Sequence, residues 1–583
     1  MLRSLRLATR RFSKVSWKAE EISTAVPEDL KKGNLEQEVE CKQKVLRYLD
    51  GLHPIDNEAI RMADNKHYDE DDRLYIFPDI NESRLQTIEA KEMSGRVQFF
   101  DDVEGFEVVP TLNSALDPII KYPGLYRLED MKSAIGKDFY EFYKRIPQPH
   151  EIDMKKISNW KPPSLDNRLV NLGKQYGVKF VMSTSSISSV LSQMLYLISN
   201  FKEANYSMLY SFTDSSEMRY MSSQKKGSTC FLRRASESPE IWALDSDSGP
   251  FEADHQILMD MGHIIEKMCT MEPAEFEGCF LKSKQDLGKF KIPNEDYHRL
   301  MKIEDDMLIR SQLDCQGKDL EGNNIVFEIK SRALAFMRYR VTEYYKFLDY
   351  PISKMFGVDN SYEREYYDMI RGAFAKYFKQ MHIGRMHGGL VFYHSTFETI
   401  GFEYVKLPDI KEVICESSYK ADAIFYASSK LTTMILNNII KSTHLKAKEY
   451  LKVGFSTHQS GKMTIMTEII SDTSYEEYVA TKIPVTENMA SIKDFYMPRK
   501  DKIKARKYEF VVYPKINGVP NAYFFHEMTP KDSVEINYTF KDMGPVSFEE
   551  YMQFLLNCDK EDKLMPENAY GSNWFFHESS YKL

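Results

Sequence analysis

The sequence predicts a mixed α/β fold, because helical and strand patterns alternate along its middle third. Apolar residues recur at helical spacing over 253–271, and the short apolar runs 307–315 and 324–329 are typical of paired strands. Two further helices and one further strand are expected downstream, at 333–347, 362–380 and 389–393. The order helix, strand, strand, helix, strand indicates a mixed sheet flanked by helices.

Length and composition limit the class of protein. The chain has 583 residues, of which 42% are hydrophobic and 13% aromatic, enough for a large core and against intrinsic disorder. It has no run of about 18 apolar residues, so we expect no membrane-spanning helix. The seven cysteines are scattered without a CxxC pair, which argues against a disulfide framework or a zinc site.

The first 12 residues have the composition of a mitochondrial transit peptide. Arg3, Arg6, Arg10 and Arg11 lie among leucines and serines, and the first acidic residue is Glu20. The alternative is a basic arm that binds nucleic acid. We predict a charged extension over 13–110, with one helix near 35–52, and then a compact core over 111–410.

A β-rich region is expected to follow the core, over 411–583. The apolar segments 508–514 and 522–526 flank Asn517-Gly518, a pair typical of a hairpin turn. Earlier in the chain, the hydroxyl residues 183–186 precede an apolar helix that ends near Phe201. Such residues cap a helix N-terminus, and they could equally hold a phosphate there.

The residues that indicate chemistry lie in 310–333. Asp314 ends one predicted strand, and Glu328 and Lys330 stand two apart on the next, so their side chains share one face. A hairpin between these strands would bring Asp314 beside Glu328. Carboxylate oxygens are the ligands that Mg²⁺ prefers, and a lysine can orient water or stabilise charge on phosphorus. By spacing alone, an ordinary solvated hairpin explains the pattern equally well.

A third acid is expected from the preceding helix. Glu266 is the preferred candidate, since it stands at helical spacing from His263 and Thr270, and Glu275 and Glu277 are its rivals. Together, Glu266, Asp314 and Glu328 are the predicted ligands of Mg²⁺ or Mn²⁺.

Several separate motifs make a family resemblance specific. They are YPGLYRLEDM (122–131), KFVMSTSSISSVLS (179–192), RSQLD (310–314), FEIKSRA (327–333), REYYDMIR (364–371) and IGRMHGGLVFYH (383–394). In this order, over about 118–410, they resemble the fungal mitochondrial RNA 5′-end processing and degradation family, which is similar to PD-(D/E)XK nucleases. That family usually has an acid where this chain has His387, which leaves the role of position 387 open.

The resemblance implies a fold, an activity and a location. The fold would be a PD-(D/E)XK core, with Asp314, Glu328 and Lys330 matching the nuclease motif and Glu266 the helix acid. The activity would be metal-dependent 5′-to-3′ hydrolysis of single-stranded RNA in the mitochondrial matrix. The implied partners are the mitochondrial RNA polymerase and, peripherally, the inner membrane.

Two other functions are compatible with the same residues. One is a catalytically silent scaffold that binds the polymerase or a ribosomal assembly, which the net charge of −9 favours. The other is a nuclease of the same fold that acts on mitochondrial DNA.

Basic and aromatic side chains after the Glu-x-Lys pair are the candidate RNA contacts. The segment 330–390 holds eleven Lys and Arg against six Asp and Glu, although the whole chain is acidic. The predicted phosphate-binding side chains are Arg332, Arg338, Arg371 and Arg385. Ion pairing with acids such as Glu343, Glu363 or Glu365 is the alternative. Weaker candidates are the tyrosines 366, 367 and 377, which are more often core residues, and the basic run 499–507, which is equally well a solvated linker.

Overall fold

The computed structural model describes most of the chain after residue 85. The described residues are 86–89, 96–101, 108–157, 161–212, 220–247, 256–293, 297–339, 344–345, 348, 350, 352–446, 448–458, 461–480, 496–521 and 528–558. The predicted transit peptide, most of the predicted extension and the predicted helix near 35–52 lie outside them.

Seventeen strands and fourteen α-helices are described. The strands are β1 (Gln86–Glu89), β2 (Val97–Phe100), β3 (Leu125–Arg127), β4 (Phe180–Ser183), β5 (Ser228–Glu237), β6 (Glu240–Ser246), β7 (His298–Ile303), β8 (Met307–Gln312), β9 (Cys315–Lys318), β10 (Asn324–Ala333), β11 (Gly388–His394), β12 (Thr399–Lys406), β13 (Glu449–His458), β14 (Lys462–Ser471), β15 (Ala505–Ile516), β16 (Val519–Pro520) and β17 (Val534–Pro545). The helices are α1 (Asp117–Lys121), α2 (Leu128–Lys144), α3 (Asn167–Gln175), α4 (Thr184–Ser199), α5 (Ser222–Lys225), α6 (Gln256–Thr270), α7 (Pro273–Phe280), α8 (Ala335–Tyr339), α9 (Tyr362–Asp368), α10 (Phe374–Ile383), α11 (Leu407–Cys415), α12 (Ser418–Ser442), α13 (Asp472–Ala480) and α14 (Phe548–Cys558).

The strands form two sheets. A 12-stranded sheet has the order β1-β17-β15-β14-β13-β5-β6-β4-β8-β7-β2, with β16 paired to β15 at one side. A 5-stranded sheet has the order β3-β12-β11-β10-β9. In the smaller sheet β10 and β11 are parallel and the other pairs are antiparallel, so this sheet is mixed.

Helices cover both faces of the smaller sheet. The largest core contains residues of both sheets together with α4, α9, α10, α11 and α12, which therefore lie between the sheets. A second core joins the opposite face of the smaller sheet to α1, α2, α6 and α7. Every residue of β11 is buried, as expected of a strand that is covered on both faces. The predicted mixed sheet flanked by helices is confirmed.

Local sequence accounts for two of the element ends. Ser183 begins α4 as its N-cap, because its side chain accepts the backbone N–H of Ser186 and the Ser186 hydroxyl accepts the N–H of Ser183. The capping interpretation of 183–186 is thereby confirmed. Asn517 and Gly518 have φ values of 52° and 79° in the turn between β15 and β16, which confirms the hairpin turn, while 522–526 lie outside the described residues.

The predicted strand 307–315 is wrong as a single element. The chain leaves the 12-stranded sheet after Gln312 and enters the 5-stranded sheet at Cys315, so two strands of different sheets replace one. Only the second, β9, pairs with β10, and Asp319–Asn323 forms the turn. One continuous apolar run hid the change of sheet, since hydrophobicity does not report which strand a residue pairs with.

Two other sequence predictions need correction. The helix predicted over 333–347 is the short α8, because 333 still belongs to β10, and 340–343 lie outside the described residues. The chain after 400 is helical over α11 and α12 before it becomes β-rich from Glu449 onward. The predicted helix 362–380 exists, although a π-helical turn at Met369–Ala373 separates α9 from α10.

The described cysteines and helices agree with the composition. Six cysteines are buried and free, as expected of reduced core thiols. In the described ranges, no helix is both long enough and apolar enough to span a bilayer. Residues 81–583 form one compact unit, and the domain bounds proposed at 110 and 410 stay predictions.

Candidate active site

Asp314 lies where the chain passes from one sheet to the other. The last paired residues of β9 and β10 are Cys315 and Phe327, so the next residues along, Asp314 and Glu328, are neighbours. The Asp314 Oδ2 atom accepts the backbone N–H of Ile329 at 2.9 Å. This bond fixes the carboxylate beside β10, as the hairpin prediction requires.

Glu328 and Lys330 occupy the same face of β10. The residues Ile325, Phe327 and Ile329 face the core that contains α6, while Val326 packs into the core between the sheets. Glu328, Lys330 and Arg332 alternate with the first set and therefore share the second face. Lys330 forms a close ion pair with Glu328, and only 8% of the Glu328 side chain is exposed.

Glu266 lies on α6, which packs against β10. The helix passes close to β10, because a Cβ added to Gly262 would lie 3.3 Å from the Ser331 Oγ atom. Glu266 follows Gly262 by one turn, and its negative charge acts on Asp314. Its rivals lie on α7, where Glu277 pairs with the exposed Lys284. The structure therefore brings Asp314, Glu328 and Lys330 together, and among the candidate helix acids the charge of Glu266 acts on Asp314.

Burial and mutual repulsion set the electrostatics of the site. Burial, followed by the charges of Glu328 and Glu266, raises the pKa of Asp314 well above its usual range. Burial lowers the pKa of Lys330, but Glu328 and Asp314 outweigh it and leave that pKa raised. The acids therefore repel one another, and Lys330 is their main compensating cation. Such a site is stabilised by added positive charge.

A hard divalent cation fits this donor set. Mg²⁺ needs only one or two carboxylates, because it keeps several waters and takes its remaining ligands from substrate phosphate. Asp314 and Glu328 supply two such carboxylates. Among the residues that the structure describes, no three His, Cys, Asp or Glu side chains are grouped so that they could hold a metal without such help.

Three of the four predicted RNA-binding arginines lie inside the protein. Arg332 lies 3.4 Å from the Glu365 carboxylate, and Arg338 pairs with Glu365 and, at 2.7 Å, with Asp368. Arg371 donates to the Tyr367 hydroxyl at 2.9 Å. Arg332 and Arg338 thus follow the alternative of ion pairing with Glu365, although these ion pairs are largely buried and not on the surface. Arg385 is exposed and lies over Phe99.

The weaker candidates mostly have structural roles. Tyr366 and Tyr367 are buried in the core between the sheets. The basic run 499–507 is tied to acids of α13, β17 and α14 through Arg499–Glu477, Lys500–Glu549, Arg506–Asp542 and Lys507–Glu550 pairs. The exposed His387 accepts the backbone N–H of Val326 at 3.2 Å.

Two residues at the site were not singled out for it by sequence. The Lys330 ammonium lies 5.4 Å from the centre of the Tyr377 ring on α10. The sequence indicates Tyr377 only as a base-stacking or core residue. Lys267 is buried and forms a 3.0 Å ion pair with Glu266. No local pattern points to Lys267, because side chains at i and i+1 of a helix do not face each other.

The fold and the site together define a class of protein. A mixed sheet that carries Glu-x-Lys on one strand and an aspartate at the start of its antiparallel neighbour is the arrangement that the resemblance to PD-(D/E)XK nucleases implies. The sequence model of the family described as "Mitochondrial protein Pet127" matches residues 160–437, which include Glu266, Asp314, Glu328 and Lys330. Over these residues the chain is similar to that family.

Two curated relatives show a similarity of the same kind. The chain is 30% identical over 358 residues to "mRNA degradation protein pet127, mitochondrial" of Schizosaccharomyces pombe, covering 60% of this chain and 66% of the relative. It is 32% identical over 278 residues to "Putative mitochondrial translation system component PET127" of Saccharomyces cerevisiae, covering 46% of this chain and 32% of the relative. The match thus spans just under two thirds of the first relative and about a third of the second.

Solved structures show only a weak likeness. The crystal structure of Scheffersomyces stipitis Rai1 is 13% identical, with 68% of this chain and 93% of that chain covered at a TM-score of 0.29. The same protein in complex with (3′-NADP)+ and calcium ion is 12% identical, with 69% and 94% covered at a TM-score of 0.27. At these TM-scores the likeness carries no weight for function.

Proposed function

We propose that this chain is a mitochondrial ribonuclease that hydrolyses RNA with Mg²⁺ or Mn²⁺ and removes nucleotides from the 5′ end. The observation that carries the proposal is that Asp314, Glu328 and Lys330 lie together in a buried position. The charge of Glu266 acts on Asp314 there. The name of one relative supports a role in mitochondrial mRNA degradation, and the other relative is named as a putative mitochondrial translation system component. The 5′-to-3′ polarity is proposed from the family resemblance.

Each side chain of the site has its own proposed role in catalysis. Asp314 and Glu328 would hold the metal ion, with Glu266 as a further acid that binds it directly or through water. The ion, when bound, polarises the phosphoryl oxygen and makes its bound water a better nucleophile. Lys330, held between Glu328 and the Tyr377 ring, supplies a positive charge where negative charge develops on the phosphoryl oxygens.

The remaining features of this function are proposals of the same kind. The matrix location follows from the predicted transit peptide at 1–12. Single-stranded RNA is the proposed substrate, and exposed Arg385 is the predicted phosphate contact that lies at the surface. Contact with the mitochondrial RNA polymerase and with the inner membrane stays a prediction from the family resemblance.

End-labelled RNA tests the activity and its direction. The full chain is incubated with 5′-monophosphorylated single-stranded RNA that carries a label at the 5′ end or the 3′ end, with Mg²⁺, Mn²⁺ or EDTA. The expected result is early release of labelled mononucleotide from the 5′-labelled RNA, and a ladder of shortening products from the 3′-labelled RNA. A DNA strand of the same sequence, cut more slowly by about tenfold or more, would establish the RNA preference.

The same assay can reject the proposal. Release of label first from the 3′ end would overturn the polarity, and equal cutting of DNA would favour the DNA nuclease. If no strand is cut with either metal, the ribonuclease is rejected.

A catalytically silent scaffold is the second candidate function. One observation favours it: the net charge of the chain is −9, whereas phosphate binding requires Lys and Arg. A scaffold would bind RNA or a protein partner without turnover, so the EDTA and Mg²⁺ samples would then give the same intact RNA.

A further inference from the structure

The active-site face of β10 continues beyond Lys330 to Arg332. Alternate residues of a strand are about 7 Å apart, close to the separation of neighbouring phosphates along an extended RNA strand. Only 8% of the Arg332 side chain is exposed, so a strand laid along this face would pass from the metal-binding acids to a buried guanidinium. The next residue on the face is thus a cation about 7 Å further along the strand than Lys330.

Arg332 belongs to a group of four arginines, which we name the arginine cluster: Arg332, Arg338, Arg364 and Arg371. The cluster surrounds two acids of α9, Glu365 and Asp368. Arg338 contacts both acids, and Arg364 lies 3.3 Å from Asp368. Arg364 and Arg371 lie 5.6 Å and 4.9 Å from the centre of the Tyr367 ring. Stacking on a ring leaves the edge of a guanidinium group available to a further acceptor.

The contacts within the cluster leave an excess of positive charge. Four arginines meet two carboxylates, and burial alone would raise the pKa of Asp368, yet the four arginines lower it to about 2. The neighbouring Glu363 carboxylate accepts the backbone N–H groups of Tyr210, Ser211 and Gly357, and Glu403 accepts the Tyr393 hydroxyl. Buried excess charge is costly, so the cluster gains free energy from an added anion.

One donor atom of the cluster indicates where that anion would bind. The Arg371 Nε atom is buried and makes no hydrogen bond in the described structure, whereas the Arg332 Nε atom faces the Glu365 carboxylate at 3.4 Å. Arg371 lies in the π-helical turn between α9 and α10, a rare geometry that is frequent at functional sites. Solvent reaches two side chains next to this donor, because Lys330 and Arg338 keep 17% and 16% of their side chains exposed.

We propose that the arginine cluster binds the RNA phosphate next to the scissile one, with Arg371 as its principal donor. The proposal rests on the proposed ribonuclease function, since it places this phosphate relative to the Asp314–Glu328 site. The phosphate is the terminal 5′-monophosphate when one nucleotide is removed at a time, or an internal phosphodiester when the cut is further along. Both present the same anionic oxygens to the guanidinium groups.

Binding without turnover tests the cluster separately from catalysis. The full chain is titrated in EDTA against 3′-labelled RNA that carries either a 5′-phosphate or a 5′-hydroxyl. A third RNA carries an uncharged methylphosphonate at the first internal linkage. The variants are Arg371→Gln and Arg371→Lys, and Arg506→Gln is the matched control, because Arg506 and its partner Asp542 keep 41% and 32% of their side chains exposed.

The expected result is a loss of affinity that depends on one phosphate. If the terminal phosphate is bound, wild type and Arg506→Gln bind the 5′-phosphate RNA about tenfold more tightly than the 5′-hydroxyl RNA, and Arg371→Gln loses this difference. If the internal phosphodiester is bound, the methylphosphonate RNA is the weaker ligand by a similar factor, and again only for proteins with Arg371. Arg371→Lys is expected to lie between wild type and Arg371→Gln.

The proposal is overturned if wild type binds all three RNAs equally. That comparison requires no variant, so it holds even if Arg371→Gln fails to fold. Absence of RNA cleavage in Mg²⁺ would reject the proposed ribonuclease but leave these affinities unchanged, so the two failures are distinguishable.

Discussion

Replacing Asp314 with Asn is expected to abolish RNA degradation and to stabilise the metal-free fold at neutral pH. The amide keeps the shape of the side chain and can still accept the Ile329 N–H, but it cannot supply an anionic oxygen to a metal ion. We expect the rate to fall by at least about a thousandfold, which corresponds to about 4 kcal/mol of transition-state stabilisation.

The gain in stability follows from the pKa of Asp314. Burial and the neighbouring acids raise this pKa in the folded protein above the value of about 3.9 in an unfolded chain. The folded state therefore binds more protons than the unfolded state, and its free energy of unfolding falls as pH rises from about 4 through the raised pKa. Asp314→Asn removes this loss, so the variant becomes the more stable protein as pH rises.

Denaturant unfolding from pH 4 to pH 8 in EDTA measures this difference. The control is Asp305→Asn, because Asp305 is 88% exposed in its ion pair with Lys302. Adding Mg²⁺ is expected to raise the melting temperature of wild type and of the control but not of Asp314→Asn. A variant that is less stable than wild type at pH 8, or that responds equally to Mg²⁺, would contradict the account.

Replacing Lys330 with Met is expected to have the opposite effect on stability. Lys330 is the cation closest to Glu328, and removing it leaves two buried carboxylates without compensation. Breaking a buried ion pair from one side destabilises a protein by about 3–5 kcal/mol, so the metal-free variant should unfold much more readily. RNA degradation should also be lost, because no cation then faces the phosphoryl oxygens.

A double variant separates the two effects of Lys330. Lys330→Met combined with Glu328→Gln removes both charges of the pair, so it should recover most of the lost stability but none of the activity. The free energies of unfolding of wild type, both single variants and the double variant give the coupling directly. If the double variant is no more stable than Lys330→Met, the ion pair is not the reason for the destabilisation.

The sequence was most informative where function and local pattern coincide. The shared face of Glu328 and Lys330 follows from the period of a strand, and the Ser183 cap follows from its hydroxyl before an apolar helix. Both features depend only on residues that are a few positions apart in the chain. The position of Asp314 beside Glu328 also needed only a hairpin, although the apolar run before it concealed that β8 and β9 belong to different sheets.

Contacts between distant residues could not be read in this way. Arg332 and Arg338 pair with Glu365, which is about thirty residues further along, and no periodicity reports such a partner. The helices α11 and α12 are largely buried among other helices and strands, so their apolar residues do not form a single stripe. Tertiary packing, rather than local propensity, decides both features.

The central claim is that the Asp314, Glu328 and Lys330 site hydrolyses RNA, and single-turnover cleavage by Glu328→Gln tests it most directly. With enzyme in excess over labelled RNA and saturating Mg²⁺, the observed rate reports the chemical step and not binding or product release. We predict that the rate falls by about a thousandfold or more, while RNA affinity in EDTA is not weakened. A rate within a few-fold of wild type would contradict the claim, because the site could then lose a central carboxylate without losing its chemistry.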